Sequence, residues 1–360
     1  LNLPEYYINF LHKHFHWPIM RKFISTAIFI SFSICSYAQL LYKISGNGLK
    51  QSSYVVGTFH LAPVTYVDSI VGIHQAINAV DQVCGEVDVS LMRNPEGMSK
   101  MQAAAFLPDG KTIDQVLTAD QTKRLNAFLT TYIGVDLSNP MVKQQLGRLT
   151  PAMLTTQFTV VLYTTKHPGF NPQESFDEYF QKVAREQGKS VDGLETVDFQ
   201  MDLLFKKTPL PRQITQLMCL VDNTDFYEEM SDEMAKAYFA QDLNGLKAVI
   251  DKKLHNACDM TPEERADLID NRNRAWIEKI PTIMQAKSTL FTVGAGHLVG
   301  DNGLLKLLQD KGYTVEAVKN WPWKPISKIR RRIVANITTS QTSIRSWSIL
   351  MRMDVYYQAS

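Results

Sequence analysis

Two short segments decide the fold: GTFH at residues 57–60 and GAGH at residues 294–297. Each follows an apolar run typical of a buried strand, YVV at 54–56 and LFTV at 290–293. A glycine at the end of a strand lets the chain turn sharply, so each motif predicts a histidine, His60 or His297, just beyond a sheet edge. Open α/β sheets place their ligands at such an edge. Only the fold can bring these two distant histidines to one site.

Six short runs rich in Val, Ile, Leu or Tyr predict the strands of this sheet. They are Leu40–Ile44, Ser53–Val56, Gln82–Val87, Ser190–Leu194, Thr289–Val293 and Tyr313–Val318. No strand-like run lies between Asp198 and Ile283, where the apolar residues recur at helical spacing. The sequence therefore predicts an α/β fold: a central mixed, partly parallel sheet flanked by helices, with a large all-helical insertion in the second half.

Helical patterns fill the gaps between the strands. Those of the first half are Val67–Asn78, Thr118–Tyr132, Pro140–Tyr163 and Ser175–Gln187. A last helix is expected to begin after Asp301, an N-cap residue, and to end at Gly312, which suits the left-handed position after a helix. The final strand follows at once, as in a parallel crossover.

The two ends of the sequence are predicted to lie outside this domain. A basic start at Met20, a short apolar stretch and small residues up to Ala38 indicate a signal peptide at 20–38, with residues 1–19 as an upstream extension. The apolar stretch is too short for a membrane span of ~20 residues. Residues 39–323 are then the domain, and 324–360 a basic and polar tail. We expect a secreted or periplasmic protein; a lipoprotein anchor at Cys35 is less favoured because the bulky Ile34 precedes it.

Charge and cysteine content exclude some classes of function. The formal net charge is +2, but both ends are basic and residues 39–323 carry a net charge of −6, which argues against nucleic acid as the main partner. The three cysteines of the domain, Cys84, Cys219 and Cys258, form no CxxC motif. They fit neither a zinc ribbon nor a disulfide framework, although any one pair could be joined.

Two glutamates follow predicted strands in the same way as the two histidines. Glu86 follows the third predicted strand and Glu195 follows the fourth. Four strands thus end in His, Glu, Glu and His, which are usual ligands of zinc, manganese, iron or cobalt. A carboxylate that does not bind the metal could act as a general base. The spacing alone does not distinguish such a site from ordinary loop and helix-capping residues, and HExxH, GxSxG and Walker motifs are absent.

Several motifs together resemble the TraB/GumN family, which is related to the TIKI metalloproteases. They are GTFHLAP (57–63), GEVD (85–88), GLET (193–196) with Gln200, the pair Arg272-Asn273 before Trp276, and VGAGHLVGDNGLLKLLQDKGYTV (293–315). The resemblance covers residues 40–320.

That resemblance implies a metal-dependent, peptidase-like hydrolase acting on a peptide or protein substrate. It implies His60, Glu86 and His297 as metal ligands, with manganese or cobalt favoured and zinc or iron as alternatives. Glu195 and Arg272 also fall in family motifs, and with Glu86 they are predicted to be the catalytic residues. By its chemistry, Arg272 could orient a carboxylate or a substrate carbonyl, and a structural ion pair is an equal alternative.

Three alternatives remain beside this hypothesis. A hydrolase resembling the erythromycin esterases would use a histidine and a glutamate without metal. A haem-binding protein of the same superfamily would use His60 or His297 as an axial ligand. A third possibility is a protein that keeps the site without turnover. No stable membrane span is predicted, and the oligomeric state is left open.

Overall fold

The six predicted strands form one sheet in the order β4-β3-β5-β2-β1-β6. The structure, a computed structural model, describes residues 39–319. The strands are β1 (Leu41–Ser45), β2 (Ser53–Thr58), β3 (Gln82–Gly85), β4 (Ser190–Gly193), β5 (Thr289–Gly294) and β6 (Thr314–Ala317). The α/β prediction is confirmed, with strand ends shifted by no more than a few residues.

The sheet is mixed, and its parallel part carries the four strand ends of interest. β2 pairs with β5, β5 with β3, and β3 with β4, all in parallel, whereas β1 runs antiparallel to β2 and β6. Gly57 of β2 is the register partner of Val293 in β5, and Thr58 that of Gly294. Because parallel strands end at the same edge, the segments that follow β2, β3, β4 and β5 meet there.

Helices account for most of the remaining described residues. The α-helices are α1 (Ile73–Ala79), α2 (Val89–Met92), α3 (Pro95–Ala105), α4 (Ile113–Val116), α5 (Ala119–Ile133), α6 (Pro140–Leu146), α7 (Pro151–Lys166), α8 (Phe176–Glu186), α9 (Val197–Met201), α10 (Leu210–Asp222), α11 (Thr224–Phe239), α12 (Leu243–Ile250), α13 (Pro262–Arg265), α14 (Asn271–Ala286) and α15 (Leu304–Asp310). Short 3₁₀ segments lie at Val64–Ser69, Pro108–Gly110 and Ala295–His297, and π-helical turns at Asp202–Lys206 and Ala266–Asp270.

The predicted helix Pro140–Tyr163 is in fact two helices, α6 and α7. Thr150 caps the second one by accepting a hydrogen bond from the backbone N–H of Met153, and Pro151 occupies its first turn. Proline has no N–H to donate to a preceding helical turn, so α6 ends before Pro151 and α7 begins at it.

Two other helix boundaries differ from the prediction. The segment Val67–Asn78 is a 3₁₀ turn and then α1, separated at Gly72, which has a left-handed φ of 81°. The last helix, α15, begins after Gly303 rather than after Asp301. Its end is as predicted, because Gly312 follows it with a left-handed φ of 88°.

The buried apolar residues form a sheet core, a separate helical core and a small third cluster of Val87, Ala104, Val197 and Met201. The sheet core contains residues of β1, β2 and β5 together with Trp276 on α14 and Leu298 just after the second GxxH motif. The helical core is built around Leu125, Phe158 and Leu217. Its members come from both the β3–β4 and the β4–β5 connections, so the helical part is larger than the insertion predicted after Asp198.

Two of the domain's cysteines are joined. Cys219 on α10 forms a disulfide with Cys258, which lies before α13, whereas Cys84 in β3 is a buried free thiol. The disulfide ties the helical connection to the segment that leads into α14.

The predictions for residues 1–19, 20–38 and 324–360 concern segments that lie outside the described residues. Within residues 39–319, no helix is long and apolar enough to cross a membrane.

Candidate functional site

The four residues predicted from the strand ends lie along one edge of the sheet. Following the strand order, Glu195 comes after β4, Glu86 after β3, His297 after β5 and His60 after β2. The loops after β3 and β4 continue the strand pairing for two residues, since the N–H of Glu195 donates to the carbonyl of Glu86 at 2.8 Å. The fold thus brings the predicted residues to a common edge.

The two glycines of the GxxH motifs allow a close approach rather than an unusual turn. A Cβ added at Gly57 would lie 2.9 Å from Cδ1 of Leu298 and 3.0 Å from Cα of Ala295. At Gly294, an added Cβ would lie 3.3 Å from Oε1 of Glu86. The backbone N–H of Gly294 donates to this same oxygen at 2.8 Å. The glycines therefore let the second motif pack against β2 and hold Glu86 in place.

Arg272, on the first turn of α14, joins three of the strand ends. Its Nε donates to Oε1 of Glu195 at 2.7 Å, and its Nη2 donates to Oε2 of Glu195 at 2.8 Å and to Oε2 of Glu86 at 2.6 Å. Its Nη1 donates to the carbonyl of Leu268 at 3.2 Å and faces Nε2 of His297 at 3.1 Å. A guanidinium has five N–H groups, so every donor of Arg272 is used.

Glu195 is also fully engaged. Besides the two bonds from Arg272, its carboxylate accepts from Nε1 of Trp276 at 2.8 Å and from Nε2 of Gln200 at 3.2 Å. Arg272 lies over the ring of Trp276, with the guanidinium carbon 4.8 Å from the ring centroid. Glu195 therefore anchors Arg272, and Gln200 supports this contact.

The hydrogen bonds of Asn273 fix the tautomer of His297. The amide nitrogen of Asn273 donates to the carbonyls of His297 and Asn302, which leaves its Oδ1 as an acceptor 2.7 Å from Nδ1 of His297. Nδ1 must then carry the proton. Nε2 keeps its lone pair and accepts the hydrogen bond from Arg272.

The electrostatics of this cluster favour two ionised side chains and one neutral imidazole. Burial would raise the pKa of Glu86, but the positive charges of Arg272 and His60 and the hydrogen bond from the N–H of Gly294 outweigh it and hold that pKa below its ordinary value. Burial lowers the pKa of Arg272, yet the contacts with Glu195 and Glu86 raise it overall. Burial lowers the pKa of His297 to about 4. His297 is therefore neutral at pH 7, in agreement with its hydrogen bonds.

His60 stands at the open side of the site and pairs with a residue that sequence reasoning missed. Its Nδ1 lies 2.5 Å from Oδ2 of Asp177, on the first turn of α8. This carboxylate raises the pKa of His60 to about 9. The His60 side chain is 73% exposed, and solvent screens part of the attraction. No local signal marks Asp177, because it lies 117 positions away and is brought in by helix packing.

The site opens into a cavity of about 280 Å³. His60, Glu86, Asp177 and Arg272 line it together with apolar residues that include Leu203 and Leu204. A second cavity of about 300 Å³ shares Leu203 and Leu204 with the first and extends towards Met260. The two cavities are thus neighbours on either side of one apolar ridge.

Two π-helical turns shape the site. The turn Ala266–Asp270 runs directly into α14 and contains Leu268, whose carbonyl binds Arg272. The turn Asp202–Lys206 continues α9 and contains Leu203 and Leu204. Such turns insert a residue into a helix and are frequent at functional sites.

The described residues contain no group of three His, Cys, Asp or Glu side chains that could hold a metal ion. His60, Glu86 and His297 share the sheet edge, but Arg272 lies between the last two. Their assignment as ligands, and the catalytic assignment of Glu86, Glu195 and Arg272, stay predictions.

Comparison of the sequence with known proteins finds related chains. The sequence model of the TraB/PrgY/gumN family matches residues 40–317. The chain is 23% identical to the metalloprotease TIKI2 of Danio rerio over 76% of its length and 59% of the relative. It is 22% identical to a metalloprotease TIKI homologue of Amphimedon queenslandica over 76% of its length and 62% of the relative. The chain thus spans about three fifths of these relatives. No solved structure matches it significantly.

Proposed function

Because the chain belongs to the TraB/PrgY/gumN family, we propose that it is a hydrolase that cleaves peptide bonds in a peptide or protein substrate. The distant relatives named metalloproteases suggest a metalloprotease-like function. The observation that carries the proposal is the buried ion cluster of Glu86, Arg272 and Glu195, which borders a cavity at the carboxyl edge of four parallel strands. Open α/β sheets bind their ligands at this edge.

The names of the relatives also suggest a metal cofactor, but the arrangement of the side chains does not fit one. The chemistry of His60, Glu86 and His297 is suitable, since imidazole and carboxylate bind divalent transition metals. However, the lone pair of His297 Nε2 and one oxygen of Glu86 are both engaged by Arg272. We therefore derive no step through a metal and consider what the protein's own side chains can do.

Glu86 is the carboxylate that can act on a substrate. Its Oε1 accepts from Gly294 and its Oε2 from Arg272, which leaves lone pairs on the cavity side, and it is ionised at pH 7. A carboxylate has about four acceptor positions, so Glu86 can also hold a water molecule and take a proton from it. The oxygen of that water would attack the carbonyl carbon of the peptide bond.

His60, which lines the same cavity as Glu86, is the group that can exchange a second proton with the substrate. Asp177 orients the ring through Nδ1, so Nε2 is left to donate to the nitrogen that departs as the peptide bond breaks. Arg272 has no free N–H group for a substrate carbonyl. Its role in this proposal is to position Glu86 and His297.

The paired cavities support a peptide as the substrate. They lie on both sides of Leu203 and Leu204, so an extended chain can cross the ridge and place residues in each cavity. Leu204 is 43% exposed and Met260 is 42% exposed. These side chains offer apolar contact to a substrate residue a few positions away from the cleaved bond.

The test is a peptide-library digestion with the full-length protein, read by mass spectrometry. Reactions contain MnCl₂, CoCl₂ or EDTA. We expect cleavage that is lost in Glu86→Gln and His60→Gln. The matched control is His74→Gln, because His74 pairs with Asp68 on the surface, away from the site. Equal cleavage by the wild type and Glu86→Gln would contradict the proposal.

Two forms of this hydrolase can be distinguished, a metalloprotease and the metal-independent enzyme that these side-chain roles describe, and a specific contact favours the metal-independent candidate. Arg272 already supplies positive charge between Glu86 and His297. Cleavage that persists in EDTA, after metal removal is verified by elemental analysis, would select this candidate over the metalloprotease.

We also infer that the protein is secreted or periplasmic. The predicted signal peptide at residues 20–38 supports this location, as does the Cys219–Cys258 disulfide, because disulfides persist in oxidising compartments. Cell fractionation of the full chain and of a variant lacking residues 20–38 tests it. Equal retention of both inside the cell would contradict export.

A further inference from the structure

The Arg272 guanidinium lies where a cation would contact both Glu86 and His297. It is 2.6 Å from Oε2 of Glu86 and 3.1 Å from Nε2 of His297. We propose that Arg272 is the resident cation of this site, and that a divalent metal binds Glu86 and His297 only by displacing it. The inference concerns metal binding and does not depend on whether the proposed hydrolysis is found.

Both histidines are held as metal-binding histidines are. Nδ1 of His60 is bound to a carboxylate, and Nδ1 of His297 to a side-chain amide oxygen. In metal sites the same kind of contact fixes the ring and leaves Nε2 for the metal. In this chain, Nε2 of His297 points at Arg272 instead. The site is therefore oriented for a metal and occupied by an arginine.

A metal and the arginine cannot share these acceptors. The lone pair of Nε2 accepts one partner, and a metal there would have to come within about 2.1 Å of the nitrogen. Two positive charges would then face each other in a site where Arg272 is only 8% exposed. Repulsion of this kind is weakly screened in a buried site.

Arg272 is anchored by groups that a metal on Glu86 and His297 would not displace directly. Glu195 binds it at two points, Trp276 lies beneath it, and Leu268 accepts from Nη1. A metal would have to break the contacts with Glu86 and His297 while these anchors still hold. The expected result is weak metal binding by the wild type.

The experiment is calorimetric titration of MnCl₂ and CoCl₂ into the full chain. Arg272→Gln should bind either metal at least about tenfold more tightly than the wild type, an effect of the size seen when groups around metal ligands change. The matched control is Arg212→Gln, because Arg212 makes the same two-point contact with Glu264 but has no histidine partner. Its metal affinity should equal that of the wild type.

A second measurement supplies free guanidinium in place of the deleted Arg272 side chain. In an Arg272→Ala variant, millimolar guanidinium chloride, well below denaturing concentrations, should weaken metal binding, whereas equal sodium chloride should not. If circular dichroism shows that these variants do not fold, Arg272→Lys is the second variant. Its single ammonium cannot form the planar fork, so an acceptor is freed, and metal binding should be tighter than in the wild type but by a smaller factor because the charge remains. Unchanged or weaker binding in every folded Arg272 variant would overturn the proposal, as would tighter binding in Arg212→Gln.

Discussion

Arg272 and Glu195 form a two-point contact, with Nε 2.7 Å from Oε1 and Nη2 2.8 Å from Oε2. Only 8% of the Arg272 side chain and 5% of the Glu195 side chain are exposed. A buried pair of this kind contributes little over an apolar pair, but loss of one partner leaves a buried charge without its counter-ion. Substitution of either residue alone should therefore lower the free energy of unfolding.

Glu195→Gln should lower the free energy of unfolding by about 3 kcal/mol, since Gln keeps the shape and removes the charge. Urea unfolding followed by circular dichroism measures this. Glu264→Gln is the control, because Arg212 and Glu264 make the same contact but are about one fifth exposed. It should lose about 1 kcal/mol. If Glu195→Gln and Glu264→Gln lose the same free energy of unfolding, burial does not determine the cost of removing the carboxylate.

Gly57→Ala should separate the two GxxH motifs. The added Cβ would meet Leu298 and Ala295 at 2.9 and 3.0 Å, and the backbone of Ala295 cannot yield without moving the second motif. We expect a loss of about 1–3 kcal/mol in the free energy of unfolding. Gly169→Ala is the control, because nothing lies within 4 Å of its added Cβ. Wild-type stability of Gly57→Ala would show that the motifs tolerate separation.

The sequence was sufficient for the sheet and for the residues at its edge. Strand signals are local, so all six strands were predicted, and the parallel edge followed from where Glu86, Glu195 and the two histidines stand. The partner of His60 was missed because Asp177 reaches it through the packing of α8. The sequence predicts that Arg272 orients a carboxylate but does not show which partners it has, because its five contacts come from four separate parts of the chain.

The cysteine pairing illustrates a similar limit. Three cysteines allow three pairs, and only the fold places Cys219 beside Cys258 and buries Cys84. Cys219→Ser with Cys258→Ser should lower the free energy of unfolding by about 2–4 kcal/mol, because the open loop gains entropy in the unfolded chain. Wild-type protein in a reducing agent should show a similar loss. Equal stability of oxidised wild type and double variant would contradict a structural role.

Leu204→Ala tests the ridge between the two cavities. Leu204 is 43% exposed, so its truncation should leave the melting temperature unchanged. For a peptide that crosses the ridge, we expect KM to rise by about tenfold with little change in kcat, because the lost contact is made equally before and during reaction. Leu91→Ala is the control, since Leu91 is 48% exposed and lines neither cavity. Unchanged KM in Leu204→Ala would place the substrate elsewhere.

Asp177→Asn tests how His60 is oriented. The amide can still accept a hydrogen bond from Nδ1, but it has no charge to hold the ring in one tautomer and stabilise a proton on it. We therefore expect kcat for peptide cleavage to fall by about 100-fold, the scale of one general acid–base contribution. KM should change little, because Asp177 acts through His60.

The matched control for this variant is Asp68→Asn, which alters the exposed partner of His74. Its kcat should equal that of the wild type. Asp177→Glu, which restores the charge, should recover part of the activity. If Asp177 were needed only for folding, kcat would not follow the charge of this side chain in this way. If Asp177→Asn keeps full kcat while His60→Gln is inactive, then His60 works without its carboxylate partner. The proton exchange assigned to this pair would then be wrong.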